Sequence, residues 1–158
     1  MSSNKVNRYH QNQKAGMGNA GNSRETDSRA LAACVHRLED AKAAVIRAPK
    51  SKEAMKAYTD AVRHNQRLWT IFQVALSDPE NSLPSDLKIL LLNLSRYVDK
   101  ASFRAVGKFV PSEIDSLINI NRLIAAGLSK QTADSYQQPQ QMPVDADSGA
   151  SSSLMTSA

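Results

Sequence analysis

The spacing of apolar residues is the feature that most constrains the fold of this chain. Between residues 24 and 130, aliphatic side chains recur at intervals of three and four residues, which is the period of one face of an α-helix. No stretch alternates apolar and polar residues as a half-buried strand would, and Pro and Gly fall only between or at the ends of the apolar stretches. The pattern predicts four helices: residues 24–47, 51–77, from 84 to a break at 107–111, and 112–128.

The ends of these helices have recognisable signals. Ser23 or Thr26 is a candidate N-cap of the first helix, and Ser51 of the second. Pro84 opens the third helix, where its missing N–H costs nothing. Short connections between helices of similar length favour antiparallel neighbours, so we expect an all-α fold, a single up-down four-helix bundle over residues 23–130.

The two ends of the chain differ from this region in composition. Residues 1–22 and 131–158 are rich in Asn, Gln, Ser, Gly or Pro and poor in large aliphatic residues, so burial cannot offset the entropy of ordering them. We expect both to be flexible tails. Three basic residues in the first tail balance three Asp in the second, so the net charge of +5 belongs to the helical region.

One face of the second helix is basic. Four side chains fall within a narrow stripe when each residue is turned by about 100°. They are Lys52, Lys56, Arg63 and Arg67. The stripe is either an ordinary solvated face or an electrostatic contact with an acidic partner or RNA phosphates, and the absence of interleaved aromatic residues weakens the RNA interpretation.

The third and fourth helices have apolar residues on faces that we expect to be exposed to solvent. Ile89, Leu92 and Phe103 lie opposite a seam formed by Leu90, Leu94 and Ala101, and the fourth helix adds Ile120 and Leu123. Either the third helix is central and buries both faces, or these five side chains form an apolar groove for a partner helix. The sequence leaves both interpretations open.

Two asparagines lie within apolar arcs, Asn65 beside Trp69 in the second helix and Asn121 in the fourth. A buried amide without a hydrogen-bond partner costs about 1–3 kcal/mol, so each is expected to bond to another group. We interpret both as structural residues that fix the pairing of the helices.

No pattern in the sequence indicates catalysis. Residues 16–21 spell G-x-G-x-x-G without a preceding strand, the three His are scattered, and Cys34 lies on the inner side of the first helix. We therefore predict no catalytic residues, no cofactor, no metal and no enzymatic activity. With no secretory signal and no apolar run long enough to span a membrane, we expect a cytoplasmic protein.

Four segments together resemble the FlaF family, flagellar biosynthesis regulators of alphaproteobacteria. They are Arg24-Glu25-Thr26-Asp27, His64-Asn65-Gln66-Arg67-Leu68-Trp69, Leu83-Pro84-Ser85-Asp86-Leu87, and Leu117-Ile118-Asn119-Ile120-Asn121-Arg122 running to Gly127-Leu128. They occur in the family's order over residues 24–128 and include both asparagines and the single Trp. The segment before Arg24 and the tail after Lys130 look unlike the family.

The resemblance implies a non-enzymatic cytoplasmic protein that promotes flagellin synthesis and export, opposing the repressor FlbT, and that binds flagellin as a secretion chaperone. Flagellin is the expected partner, and FlbT is a second candidate. The apolar side chains listed above would contact flagellin, and the basic stripe would orient an acidic partner. The alternative is a post-transcriptional regulator that contacts flagellin mRNA through the basic face of the second helix. A third possibility is a homodimer interface.

Overall fold

A computed structural model describes residues 20–137, with side chains from 23 to 130, and four helices account for most of this range. They are α1 (Ala20–Arg47), α2 (Lys52–Ser77), α3 (Ser85–Ala105) and α4 (Pro111–Gln137). α1 packs against α2 and α4, and α3 packs against the same two helices from the other side. The helices therefore stand at the corners of a square, in chain order.

Side-chain bonds establish the direction of the helices. Near the start of α1, Ser28 Oγ donates a hydrogen bond of 2.9 Å to the Ala125 carbonyl oxygen, late in α4. Near the end of α1, Lys42 Nζ lies 2.5 Å from the Asp115 carboxylate, early in α4. The two helices are therefore antiparallel. The ring of Tyr58, early in α2, lies edge-on to Phe109, just before α4, so α2 and α4 start at the same end. The predicted all-α, up-down bundle is confirmed.

The breaks between the helices follow local chemistry. The predicted cap at Ser51 is confirmed, since its side-chain oxygen accepts a hydrogen bond of 3.1 Å from the Ala54 N–H. Gly107 has a φ of 78°, a conformation that glycine adopts without penalty, and it turns the chain out of α3. Pro111 is the first residue of α4, where the absent N–H would have no partner.

Two of the predicted boundaries are wrong. α1 begins at Ala20 rather than at 24, so Ser23 and Thr26 lie inside the helix and do not cap it. α4 continues to Gln137, which puts the boundary expected at residue 131 within a helix. Adding a turn to a helix that tertiary packing already stabilises costs little free energy. The next residue after Gly127 that strongly disfavours a helix is Pro139. Residues 1–19 and 138–158 lie outside the described range, so their flexibility stays a prediction.

The core lies along the bundle axis and contains the residues that the helical period places inward. Its largest fully buried side chains include Trp69, Tyr58, Leu31, Leu38, Ile114 and Leu117. Burial of such side chains is worth roughly 1.5–3 kcal/mol each, and it is the main force that holds the four helices together.

Asn65 and Asn121, both fully buried, meet in the middle of this core. Trp69 Nε1 donates a hydrogen bond of 2.9 Å to Asn121 Oδ1. Asn121 Nδ2 in turn donates to Asn65 Oδ1 at 2.6 Å. Because an indole nitrogen can only donate, it selects the orientation of the Asn121 amide, which then presents its NH₂ group to Asn65. This polar chain links α2 to α4 across the bundle.

The polar chain can be tested by replacing Asn121 with leucine, which has the same number of side-chain heavy atoms and the same branching at Cγ. The Asn121→Leu variant leaves the Trp69 N–H and the Asn65 oxygen without these partners in a dry core. We expect the free energy of unfolding to fall by about 2 kcal/mol or more, since each orphaned group costs roughly 1–3 kcal/mol. Urea denaturation measures this, and Asn119→Leu, on the exposed side of the same helix, is the control. Equal stability of the two variants would remove the polar chain as a structural element.

Candidate partner-binding surface

The outward face of α2 is basic along its first half and apolar along its last turns. All four residues of the basic stripe, Lys52, Lys56, Arg63 and Arg67, are exposed. The same line continues into Ile71 and Val74, which are 64% and 70% exposed. The sequence analysis missed these two residues, although they follow Arg67 at helical intervals of four and seven.

One carboxylate lies within the basic stripe. Lys56 Nζ donates a hydrogen bond of 2.7 Å to Asp60 Oδ2. This bond, together with the positive charges of Lys56, Arg63 and Arg67, holds the pKa of Asp60 below its ordinary value. Lys52, Arg63 and Arg67 form no ion pair with any residue of the described range. Three cations of the stripe therefore face solvent without an ion-pair partner among the described side chains.

The outer side of α3 combines apolar and basic side chains. Phe103 is 83% exposed and Ile89 is 58% exposed, while Leu92 is half-buried. Arg96 and Lys100 are exposed between them and form no ion pair within the described residues. The interpretation in which α3 is central and buries both faces is therefore wrong.

The outward sides of α2 and α3 form one continuous surface. Gln73 Nε2 donates a hydrogen bond of 2.8 Å to Asp99 Oδ2, which ties the two helices together at this level. Phe103 and Lys100 of α3 line one shallow groove together with Gln66 and Thr70 of α2. We call this surface the α2–α3 face. Its members are Lys52, Lys56, Arg63, Arg67, Ile71, Val74, Ile89, Leu92, Arg96, Lys100 and Phe103.

The two α4 residues predicted to join this surface lie elsewhere. Ile120 is half-buried and packs against the core, so only part of its side chain is open to a partner. Leu123 is 72% exposed, on the outward side of α4. Leu90, expected in the buried seam of α3, is exposed instead. These expectations came from the angle of each residue around its helix axis. Which side chains are buried depends also on how closely the neighbouring helices pack.

An ion pair joins the last turn of α3 to the first turn of α4. Arg104 Nε and the Glu113 carboxylate are 2.5 Å apart, and a second bond of 3.1 Å makes the contact bidentate. The hydrogen bond from Arg104 lowers the pKa of Glu113, and the same bond raises the pKa of Arg104.

The remaining reactive side chains do not form a site. Cys34 is buried, and desolvation raises the pKa of its thiol despite the opposing charge of Arg37. Desolvation, followed by the charges of Arg37 and Arg67, lowers the pKa of His64. Among the described side chains, no group of three or more His, Cys, Asp or Glu is placed to bind a metal. None of the helices within residues 20–137 is long and apolar enough to cross a membrane.

The chain was also compared with known proteins. The family model described as flagellar protein FlaF matches residues 6–128. This match covers the four sequence blocks that carry the resemblance, and it begins earlier than expected, including most of the segment before Arg24. Neither a curated protein nor a solved structure matches the chain.

The exposure of the α2–α3 face predicts that its apolar side chains are dispensable for folding. In Phe103→Ser, little surface that was buried becomes exposed, so the free energy of unfolding should change by no more than about 0.5 kcal/mol. The control Val98→Ser lies five residues away in the same helix but is fully buried. It should cost about 2 kcal/mol or more. Chemical denaturation of both variants gives the comparison, and a large loss in Phe103→Ser would mean that this ring stabilises the bundle.

Proposed function

Because the chain belongs to the FlaF family of flagellar proteins, we propose that it promotes flagellin synthesis and export by binding flagellin as a cytoplasmic secretion chaperone. In this proposal the protein is not an enzyme. It holds a partner through surface contacts and needs neither a nucleotide nor a metal.

The observation that carries the proposal is the exposed apolar part of the α2–α3 face. Ile71, Val74 and Phe103 are all at least 64% exposed. Phe103 lines a shallow groove between α2 and α3, and Ile71 and Val74 lie on the outward side of α2. Their burial under a partner would yield roughly 1.5–3 kcal/mol for each side chain. Large exposed apolar patches on soluble proteins mark interaction sites, and an amphipathic helix is the kind of partner that a groove between two helices accepts.

The charges around the groove favour an acidic partner segment. Arg63 and Arg67 lie on one side and Arg96 and Lys100 on the other, while Asp60 and Asp99 offset only part of this charge. Flagellin has amphipathic terminal segments that are disordered before assembly and prone to aggregate. A segment of this type could place its apolar residues in the groove and its carboxylates against the flanking cations.

A binding titration with purified flagellin tests the proposal. The double variant Val74→Asp/Phe103→Asp puts two carboxylates on the α2–α3 face, and we expect it to lose flagellin binding while it keeps its helical circular dichroism. Ile46→Asp is the matched control, because Ile46 is 59% exposed on α1, which lies across the bundle from α3. Flagellin binding that survives the double variant, or that only Leu123→Asp abolishes, would overturn the assignment to this face.

The RNA alternative rests on a different observation. Lys52, Arg63 and Arg67 of the basic stripe form no ion pair with any described residue. If they bound phosphates, affinity for flagellin leader RNA would fall steeply with salt, with a log-log slope of about −0.7 for each phosphate neutralised on a single strand. The Arg63→Glu/Arg67→Glu variant should then abolish the shift of this RNA in a gel. If the wild-type protein does not shift this RNA at low salt, the RNA alternative is excluded. Sizing the protein alone would reveal the homodimer, the third possibility.

A further inference from the structure

A small apolar cavity opens at one end of the bundle, away from the basic stripe. It lies where α1 and α3 begin and α2 and α4 end, and its volume is about 110 Å³. Its wall includes Trp69, Phe72, Leu91 and Ile124. A cavity of roughly 150 Å³ can enclose a benzene molecule, so this one has room for an apolar side chain or part of a ring.

One charged group lies in this apolar wall. Asp27 lines the cavity and is half-buried, and it forms neither a hydrogen bond nor an ion pair with any other described residue. Burial raises the pKa of its carboxyl group, which shows that the surroundings disfavour the charged form. A cation brought to the cavity would compensate this carboxylate. The site is therefore suited to a ligand that combines apolar side chains with a positive charge.

Two segments of the chain adjoin this end of the bundle. Residues 1–19 lead into Ala20, the first residue of α1, and residues 138–158 follow Gln137, the last residue of α4. Their charges are opposite: residues 1–19 contain Lys5, Arg8 and Lys14 and no acid, whereas residues 138–158 contain two Asp and no Lys or Arg. Only the N-terminal segment is complementary to Asp27.

The N-terminal segment is also long enough and shares the family's pattern. Asp27 lies seven residues into α1, about 10 Å along the helix from Ala20. The eleven residues from Tyr9 to Ala20 span up to about 36 Å when extended, so they can double back over this distance. The family match begins at residue 6 and ends at 128, so it includes most of residues 1–19 and none of 138–158.

We propose that residues 6–9 of this chain dock at the end cavity, where Arg8 pairs with Asp27 while Val6 and Tyr9 cover the apolar wall. The end cavity shares no lining residue with the groove of the α2–α3 face, so the inference stands independently of flagellin binding.

Paramagnetic relaxation in the full-length protein tests this contact directly. A nitroxide is attached at Gln11→Cys in a Cys34→Ala background, and attenuation is read at the methyl groups of Leu91 and Ile124, with Val45 at the opposite end of the bundle as the reference. We expect strong attenuation at the cavity and none at Val45. The Arg8→Glu variant should lose the attenuation, whereas Lys14→Glu, which makes the same change in net charge, should keep it.

Exchanging the two charges distinguishes loss of the Arg8–Asp27 contact from misfolding of a single variant. Asp27→Lys should lose the attenuation, and the combination of Arg8→Glu with Asp27→Lys should restore it. Asp40→Lys, on an exposed position of the same helix, should leave it unchanged. Equal attenuation in wild type and Arg8→Glu, no attenuation at the cavity in the wild type, or no restoration by the charge exchange would overturn the proposal. Attenuation of the cavity by a nitroxide at Ser152→Cys instead would assign it to the C-terminal segment.

Discussion

The hydrogen bonds from Trp69 to Asn121 and from Asn121 to Asn65 set the register on which the surface of the bundle depends. Apolar packing alone is tolerant, because neighbouring helices can slide by a turn and still bury similar side chains. A buried amide is less tolerant, since a slide would leave its donors and acceptors without partners. With α2 and α4 held at one level, α1 and α3 fill the other two corners, and their outward residues take fixed positions.

The same arrangement explains why apolar side chains remain on the outside. α3 is the shortest of the four helices, and its inward face uses small residues such as Ser95, Ala101, Ser102 and Ala105, all buried. Small side chains suffice on this inward face, whereas large residues such as Ile89 and Phe103 lie on the opposite side in solvent. Phe103 therefore contributes little to the core, and its exposure is a property of the surface rather than of folding.

Most of the fold could be predicted from the sequence because the information is local. The period of the apolar residues, the cap at Ser51 and the break at residues 107–111 act within a few residues, so they give the helices and their connections. The limits of α1 and α4 were predicted less well, since whether a helix adds one more turn depends on cooperativity rather than on a signal at one position. The candidate site was harder still. Ile89, Leu92 and Phe103 were identified from their helical angle, while Ile120 on α4 is half-buried because it packs against the core.

The sequence by itself determined that this chain forms an all-helical bundle, that Asn65 and Asn121 need buried partners, and that its middle region carries the positive charge. Residue type and helical period are enough for these properties. Only the tertiary structure decided that the two asparagines bond to each other, that the apolar side chains following the basic stripe are exposed, and that Asp27 lines an apolar cavity. Each of these depends on which side chains of different helices come to the same level, and that is fixed by how the helices pack, a relation between residues far apart in the chain.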